Sequence, residues 1–183
     1  MSGTADLLTT YMLIDDFLPE YDFNEVHDID IGANPERVYS AVNEVDFGES
    51  FIVRWLLRLR GMSSENVTIG NLRSFRFETL GEMVNRELLI GLAGRFWIPW
   101  GDLQKVDAES FREFDKQGFA KAVWNFSLAP SNRGTKLTTE TRIKCLDDES
   151  RVSFGWYWML VSPFSGWIRM EMLRLIKRTA EAA

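Results

Sequence analysis

Histidine and cysteine are nearly missing from this chain, which holds one of each, His27 and Cys145, in 183 residues. A lone cysteine excludes an internal disulfide and suits a reducing compartment. A lone histidine excludes an ordinary zinc site, which draws on several His or Cys ligands, and no carboxylate spacing spells a calcium loop. No metal is expected, and no cofactor motif is read. Excess base is lacking too: Lys and Arg number 21 against 27 Asp and Glu, giving a net charge of −6 and a pI near 4.9. That balance argues against nucleic acid, whose phosphates reward a basic face. The opening MSGTADLLTTYMLIDDF has no basic n-region and no small-residue cleavage site, and Asp15 and Asp16 break its apolar residues. With no secretion signal there, a cytoplasmic location is the expectation. Internal repeats, low-complexity tracts and linkers are also missing, so the length reads as one domain.

Hydrophobic residues make up 45% of the chain, enough for a sizeable core. From Phe154 to Ile168 no residue is charged. A bilayer span needs about 20 apolar residues, whereas this run contains Pro163 and Gly166 and ends at Arg169 and Glu171. It reads as a buried helix kinked near Pro163, and no stable membrane insertion is expected.

Periodicity orders the rest. Leu7, Leu8, Tyr11, Met12 and Leu18 recur at helical spacing before Pro19, giving an N-terminal helical extension over 1–20 ahead of a main domain over 21–183. In DFNEVHDIDI, from Asp22, apolar and polar residues alternate with the two-residue period of a half-buried strand. Asn34 and Pro35 then signal a helix start, as N-cap and first helical residue. SFIVRWLLRLR, from Ser50, predicts a second helix stopped by Gly61. Strand-length segments follow: NLRSFRFETL, NRELLIGLAG, RFWIPWGDLQKV, FAKAVWNFSLA and TKLTTETRIKC, the last two joined by a tight turn at Ser131 to Gly134. DAESFREFDKQG, from Asp107, is a polar break with one helical turn. A long helix capped by Asp147 or Asp148 closes the chain. The economical packing is an α+β domain whose antiparallel sheet curls around that helix.

This order resembles the helix-grip fold of the START-like (SRPBCC) superfamily, which includes lipid-transfer domains, pollen-allergen-type carriers and bacterial polyketide cyclases. REL at Arg86 to Leu88, GRFW at Gly94 to Trp97, TETR at Thr139 to Arg142, YW at Tyr157 and Trp158, and PFSGWIR at Pro163 to Arg169 are similar to a bacterial branch of it. These motifs carry no known reaction. The resemblance implies a cavity between sheet and terminal helix, often holding an apolar small molecule.

Strand parity suggests what would line such a cavity. Glu25 and His27 on the first strand, Phe75 and Phe77, Trp124 and Phe126, and Thr139 and Thr141 share one side of their strands. Trp156 and Leu160 are expected to meet them from the terminal helix. Glu140 and Arg142 take the other face, where a solvated ion-pair ladder is the default. Arg169, Arg174, Lys177 and Arg178 read as solvated surface complementing the helix dipole. Cys145 reads as a small buried apolar group.

On the terminal helix Val152, Trp156, Met159, Leu160 and Trp167 form one apolar side, and Phe154, Trp158, Val161 and Ile168 another. The sheet is expected to cover one, and the N-terminal helix or a second subunit of a homodimer the other. The leading functional expectation is a binder or carrier of a hydrophobic, lipid- or polyketide-like molecule, without cofactor. The alternatives are a cyclase or dehydratase moving a proton through His27 or Glu25, and an interaction module with a filled core.

Overall fold

The computed structural model describes residues 11–49, 68–71, 76–98 and 101–182. The helix read from Ser50, its stop at Gly61, and Leu7, Leu8, Phe75 and Trp100 lie outside the described residues. The described elements are α1 (Leu13–Phe17), β1 (Phe23–Ile31), α2 (Pro35–Glu44), β2 (Glu78–Met83), β3 (Glu87–Gly94), α3 (Ala108–Glu113), β4 (Ala120–Ser131), β5 (Gly134–Cys145) and α4 (Asp148–Ala182). The strands form one curved antiparallel sheet in the order β1-β5-β4-β3-β2. None of the described helices is long and apolar enough to cross a membrane.

Local chemistry accounts for most boundaries. Asn34 Oδ1 accepts the Arg37 backbone N–H at 3.0 Å, and Pro35, which lacks an N–H, opens α2. Asp107 and Ser110 cap α3 reciprocally. Asp147 accepts the Ser150 backbone N–H at 2.8 Å ahead of α4. Ser131 pairs with Gly134 across the turn between β4 and β5, where Gly134 takes a φ of 129°. α4 runs as one helix through Pro163, not as two pieces. The proline leaves the Met159 carbonyl without its intrahelical donor, on a turn where Met159 and Pro163 are both exposed to water.

The segment 95–106, expected to be a strand, is not one among its described residues. Gly94, at φ 157°, turns the chain, and a Cβ there would lie 2.8 Å from the Asp102 carbonyl oxygen. The Ile98 N–H bonds Arg95 O, the Gly101 N–H bonds Ile98 O, and the Leu103 N–H bonds Gly101 O. Those local turns consume groups that a strand would offer to a neighbour. A single bridge, Ala93 to Gln104, ties the segment to β3.

Both faces of the sheet are covered. On one, Leu88, Ile90, Trp124, Phe126 and Leu137 pack with α2 (Val38, Val42) and with the C-terminal half of α4 (Met172, Leu173, Ile176). Phe154 of α4 sits 5.0 Å, ring to ring, from Phe23 and joins Ile143 and Cys145 in a second cluster on that side. On the opposite face Ile14, Phe17 and Leu18 pack with Leu89, Val123 and Phe111. This corrects two expectations. The N-terminal helix covers the far side of the sheet and not α4, because its apolar residues match the odd-numbered face of β3 and β4. Arg142 is therefore buried and not part of a solvated ladder: it bonds Glu140 at 2.6 Å, Asp15 at 2.8 Å and the Leu18 carbonyl at 3.3 Å.

Glu87 anchors that outer layer. Its side chain is buried on β3 and accepts the backbone N–H groups of Leu13 (2.6 Å) and Ile14 (3.2 Å) and the Asn125 side-chain amide (2.8 Å). A carboxylate thus receives the first N–H donors of α1, which Met12 at the N-cap does not satisfy. Glu87→Ala strands three donors, two of them in buried bonds, so chemical denaturation should show a loss of about 2–4 kcal/mol, with Glu87→Gln losing roughly half as much.

Cys145 is buried and reduced, as expected of a small apolar filler. Burial, reinforced by the charges of Asp22 and Asp147, pushes its thiol up from 9.0 to about 12. The folded state then holds a proton that the unfolded chain releases. Stability from this source is complete below pH 9.0 and is lost as pH rises towards 12. Cys145→Ala should flatten the decline of unfolding free energy over that range by about one proton. In the native protein the thiol should react with a disulfide reagent only at the rate of opening.

Candidate functional site

Antiparallel register brings six of the residues picked by parity into one array. His27 faces Thr139 and Glu25 faces Thr141 across β1 and β5, while Phe126 faces Thr139 and Trp124 faces Thr141 across β4 and β5. All six point to the α4 side. Trp124, Phe126 and Thr139 are buried, and Glu25, His27 and Thr141 are partly so. Phe77 is half-buried against the clusters on the same side.

Within the array the polar groups are largely spoken for. The Trp124 indole N–H donates to Thr139 Oγ1 at 2.6 Å, and that hydroxyl donates to the Asn125 carbonyl at 2.8 Å. The His27 ring bonds Glu25 Oε1 through Nε2 at 2.8 Å. With Glu25 ionised, Nε2 carries the proton, and in the neutral ring Nδ1 is left as an acceptor. Glu25 Oε2 accepts the Ser165 hydroxyl of α4 at 2.7 Å. Both carboxylate oxygens therefore have partners.

α4 reaches this array because its side chains are small there. A Cβ on Gly166 would lie 2.9 Å from Glu25 Oε1 and 3.3 Å from the His27 ring, so the helix backbone rests directly on these two side chains of β1. One turn further on, Arg169 turns inward. Its guanidinium lies 4.1 Å from the centre of the Trp124 ring, and its Nη1 is buried without a hydrogen-bond partner. Burial lowers its pKa from 12.5 to about 10, and the nearby charge of Glu25 opposes that shift.

Arg169, expected on the solvated surface, is not there. Its position is nonetheless legible in the spacing. Phe154 and Trp158, and seven residues on Ser165, Arg169, Met172, Ile176 and Ala180, recur at steps of three, four or seven residues, and Phe154 and Ala180 are buried. Ser165, which sequence reasoning also missed, falls on the same stripe. Trp156 and Leu160 do not line the layer between sheet and helix. They are 69% and 72% exposed and share the outward side of α4 with Val152, Met159, Phe164 and Trp167. The sheet took the stripe carrying Gly155, Ser165 and Gly166, over which backbones can approach closely, and left the bulkier stripe outside.

No family model matches this chain, and no curated protein does. Among solved structures it is similar to protein MLL2253 from Mesorhizobium loti, with 17% identity, coverage of 86% of this chain and 98% of that one, and a TM-score of 0.40. Protein CV1439 from Chromobacterium violaceum is similar at 12% identity, over 87% of this chain and 99% of that one, with a TM-score of 0.38. TTHA0849 from Thermus thermophilus is similar at 10% identity, over 87% of this chain and 98% of that one, with a TM-score of 0.34. Likeness at such values carries nothing about function, which resides in this chain's own side chains.

Proposed function

We propose that this chain is a START-like domain that binds a hydrophobic small molecule between the sheet and α4. The supporting observation is the polar group set into that apolar layer: Glu25, His27 and Ser165 joined by hydrogen bonds, beside an Arg169 nitrogen buried with no partner. Apolar walls with a few convergent polar groups suit a ligand that is buried along its body and oriented at one end. A layer serving only to hold the fold together bears a cost in a guanidinium nitrogen buried without a hydrogen-bond acceptor. Native mass spectrometry of protein purified from its own host should retain a small-molecule adduct, and the uncharged dye N-phenyl-1-naphthylamine should bind at about one per chain. Thr141→Trp, which adds bulk to the α4-facing side of β5, should weaken dye binding by roughly tenfold or more with unchanged far-UV circular dichroism. Dye binding that ignores this substitution, together with a consistently empty protein, would sink the reading.

We propose further that the outward stripe of α4 pairs with a second copy of the chain. The stripe is self-complementary: two antiparallel copies of α4 crossing at Met159 and Leu160 set Val152 against Trp167 and Trp156 against Phe164. Six side chains more than half exposed supply about 700 Å² per chain, and a twofold contact doubles that to the roughly 1,200–2,000 Å² of stable interfaces. Sedimentation velocity should give a dimer at micromolar concentration, and Trp156→Glu with Leu160→Glu should give a folded monomer. A wild-type protein that stays monomeric at high concentration would overturn this pairing.

A further inference from the structure

Resting on the small-molecule reading above, we infer that the ligand is an apolar molecule bearing one compact anionic group of the carboxylate class, and that Arg169 receives that group.

The inference starts from what Arg169 lacks. A guanidinium presents a planar fork of donors suited to two parallel bonds to a carboxylate. Nη1 is buried with no acceptor. Among the described residues, the carboxylate whose charge acts on Arg169 is Glu25. Its oxygens, however, are engaged by the His27 ring at 2.8 Å and the Ser165 hydroxyl at 2.7 Å. Glu25 thus lowers the cost of the buried cation through space and leaves Nη1 without an acceptor. Trp124 holds the guanidinium by its face, which compensates the charge and offers no lone pair in the plane of the fork. The indole is itself fixed by Thr139, so the stacked cation is held in place.

The surroundings also separate the two ends of a ligand. Polar groups gather where Gly166 brings α4 down onto β1. Trp124 and Phe126, with ring centres 5.0 Å apart, are buried aromatic groups beside them, and Phe77 is half-buried against the same clusters. An amphiphile fits that division, with its acid group at Arg169 and its apolar body against the rings. An uncharged ligand of the same shape would leave the buried cation without an acceptor, and specificity follows from that penalty.

Two dyes sharing one aromatic skeleton test this: 1-anilinonaphthalene-8-sulfonate, which is anionic, and N-phenyl-1-naphthylamine, which is not. Arg169→Met keeps an unbranched apolar side chain and removes the charge. It should weaken the anionic dye by roughly tenfold or more and change the neutral dye by less than about twofold, with Arg169→Lys in between. In the wild-type protein dodecanoate should displace the neutral dye at about tenfold lower concentration than dodecanol. This comparison decides the matter even where Arg169→Met fails to fold. Equal effects of Arg169→Met on both dyes, or dodecanoate no better than dodecanol, would overturn the anionic group and leave the small-molecule reading intact. Failure of the neutral dye and of both dodecyl compounds to bind would remove both.

Discussion

The close seating of α4 on β1 at Gly166 is the contact on which the inner layer depends. Without a side chain at that position, the helix backbone approaches until the Glu25 carboxylate and the His27 ring fill the gap. The approach delivers Ser165 to Glu25 and points Arg169 at Trp124. Either side of it, Phe154 packs on Phe23, and Met172, Leu173 and Ile176 pack with α2. The helix is therefore held by apolar contacts at both ends and by polar contacts in its middle. Apolar burial gives the helix its stability, and the polar middle fixes its register on the sheet.

The two faces of the sheet solve the problem of charge differently. On the far face Arg142 is buried among Glu140, Asp15 and the Leu18 carbonyl, and Glu87 among two backbone donors and an amide. Those groups are satisfied within the chain and tie α1 to the sheet. On the near face the hydrogen bonds of Glu25 are complete, whereas Arg169 keeps a buried nitrogen without an acceptor. A satisfied buried charge specifies structure, and an unsatisfied one is a cost that a ligand can relieve. On that contrast rests the ligand site proposed for the α4 side.

Much of this is readable from residue order. The two-residue alternation of β1, β4 and β5 fixes which side chains share a face, and register then gathers Glu25, His27, Trp124, Phe126, Thr139 and Thr141 as parity implies. Asn34, Asp107 and Asp147 mark their helix starts through side-chain acceptors that act within three residues. The segment 95–106 departs from expectation because its aromatic and β-branched residues favour a strand, while the turn bonds after Gly94 override that preference. Arg169 departs because residue type misleads there: arginine near a helix end is ordinarily solvated, although its spacing from Phe154 and Ser165 places it on the inward stripe.

By itself the amino-acid order determined the α+β class, the turn between β4 and β5, the long terminal helix and the pairing of faces along each strand. These follow from contacts between near neighbours and from periods of two and 3.6 residues. Only the tertiary structure decided which of two apolar stripes of α4 meets the sheet, that α1 crosses to the opposite face, and that one guanidinium is buried beside a carboxylate already bonded elsewhere. Periodicity defines a stripe without naming its partner. The choice belongs to shape, because close approach favours the stripe bearing Gly155, Ser165 and Gly166 over the one bearing Trp156, Met159 and Trp167.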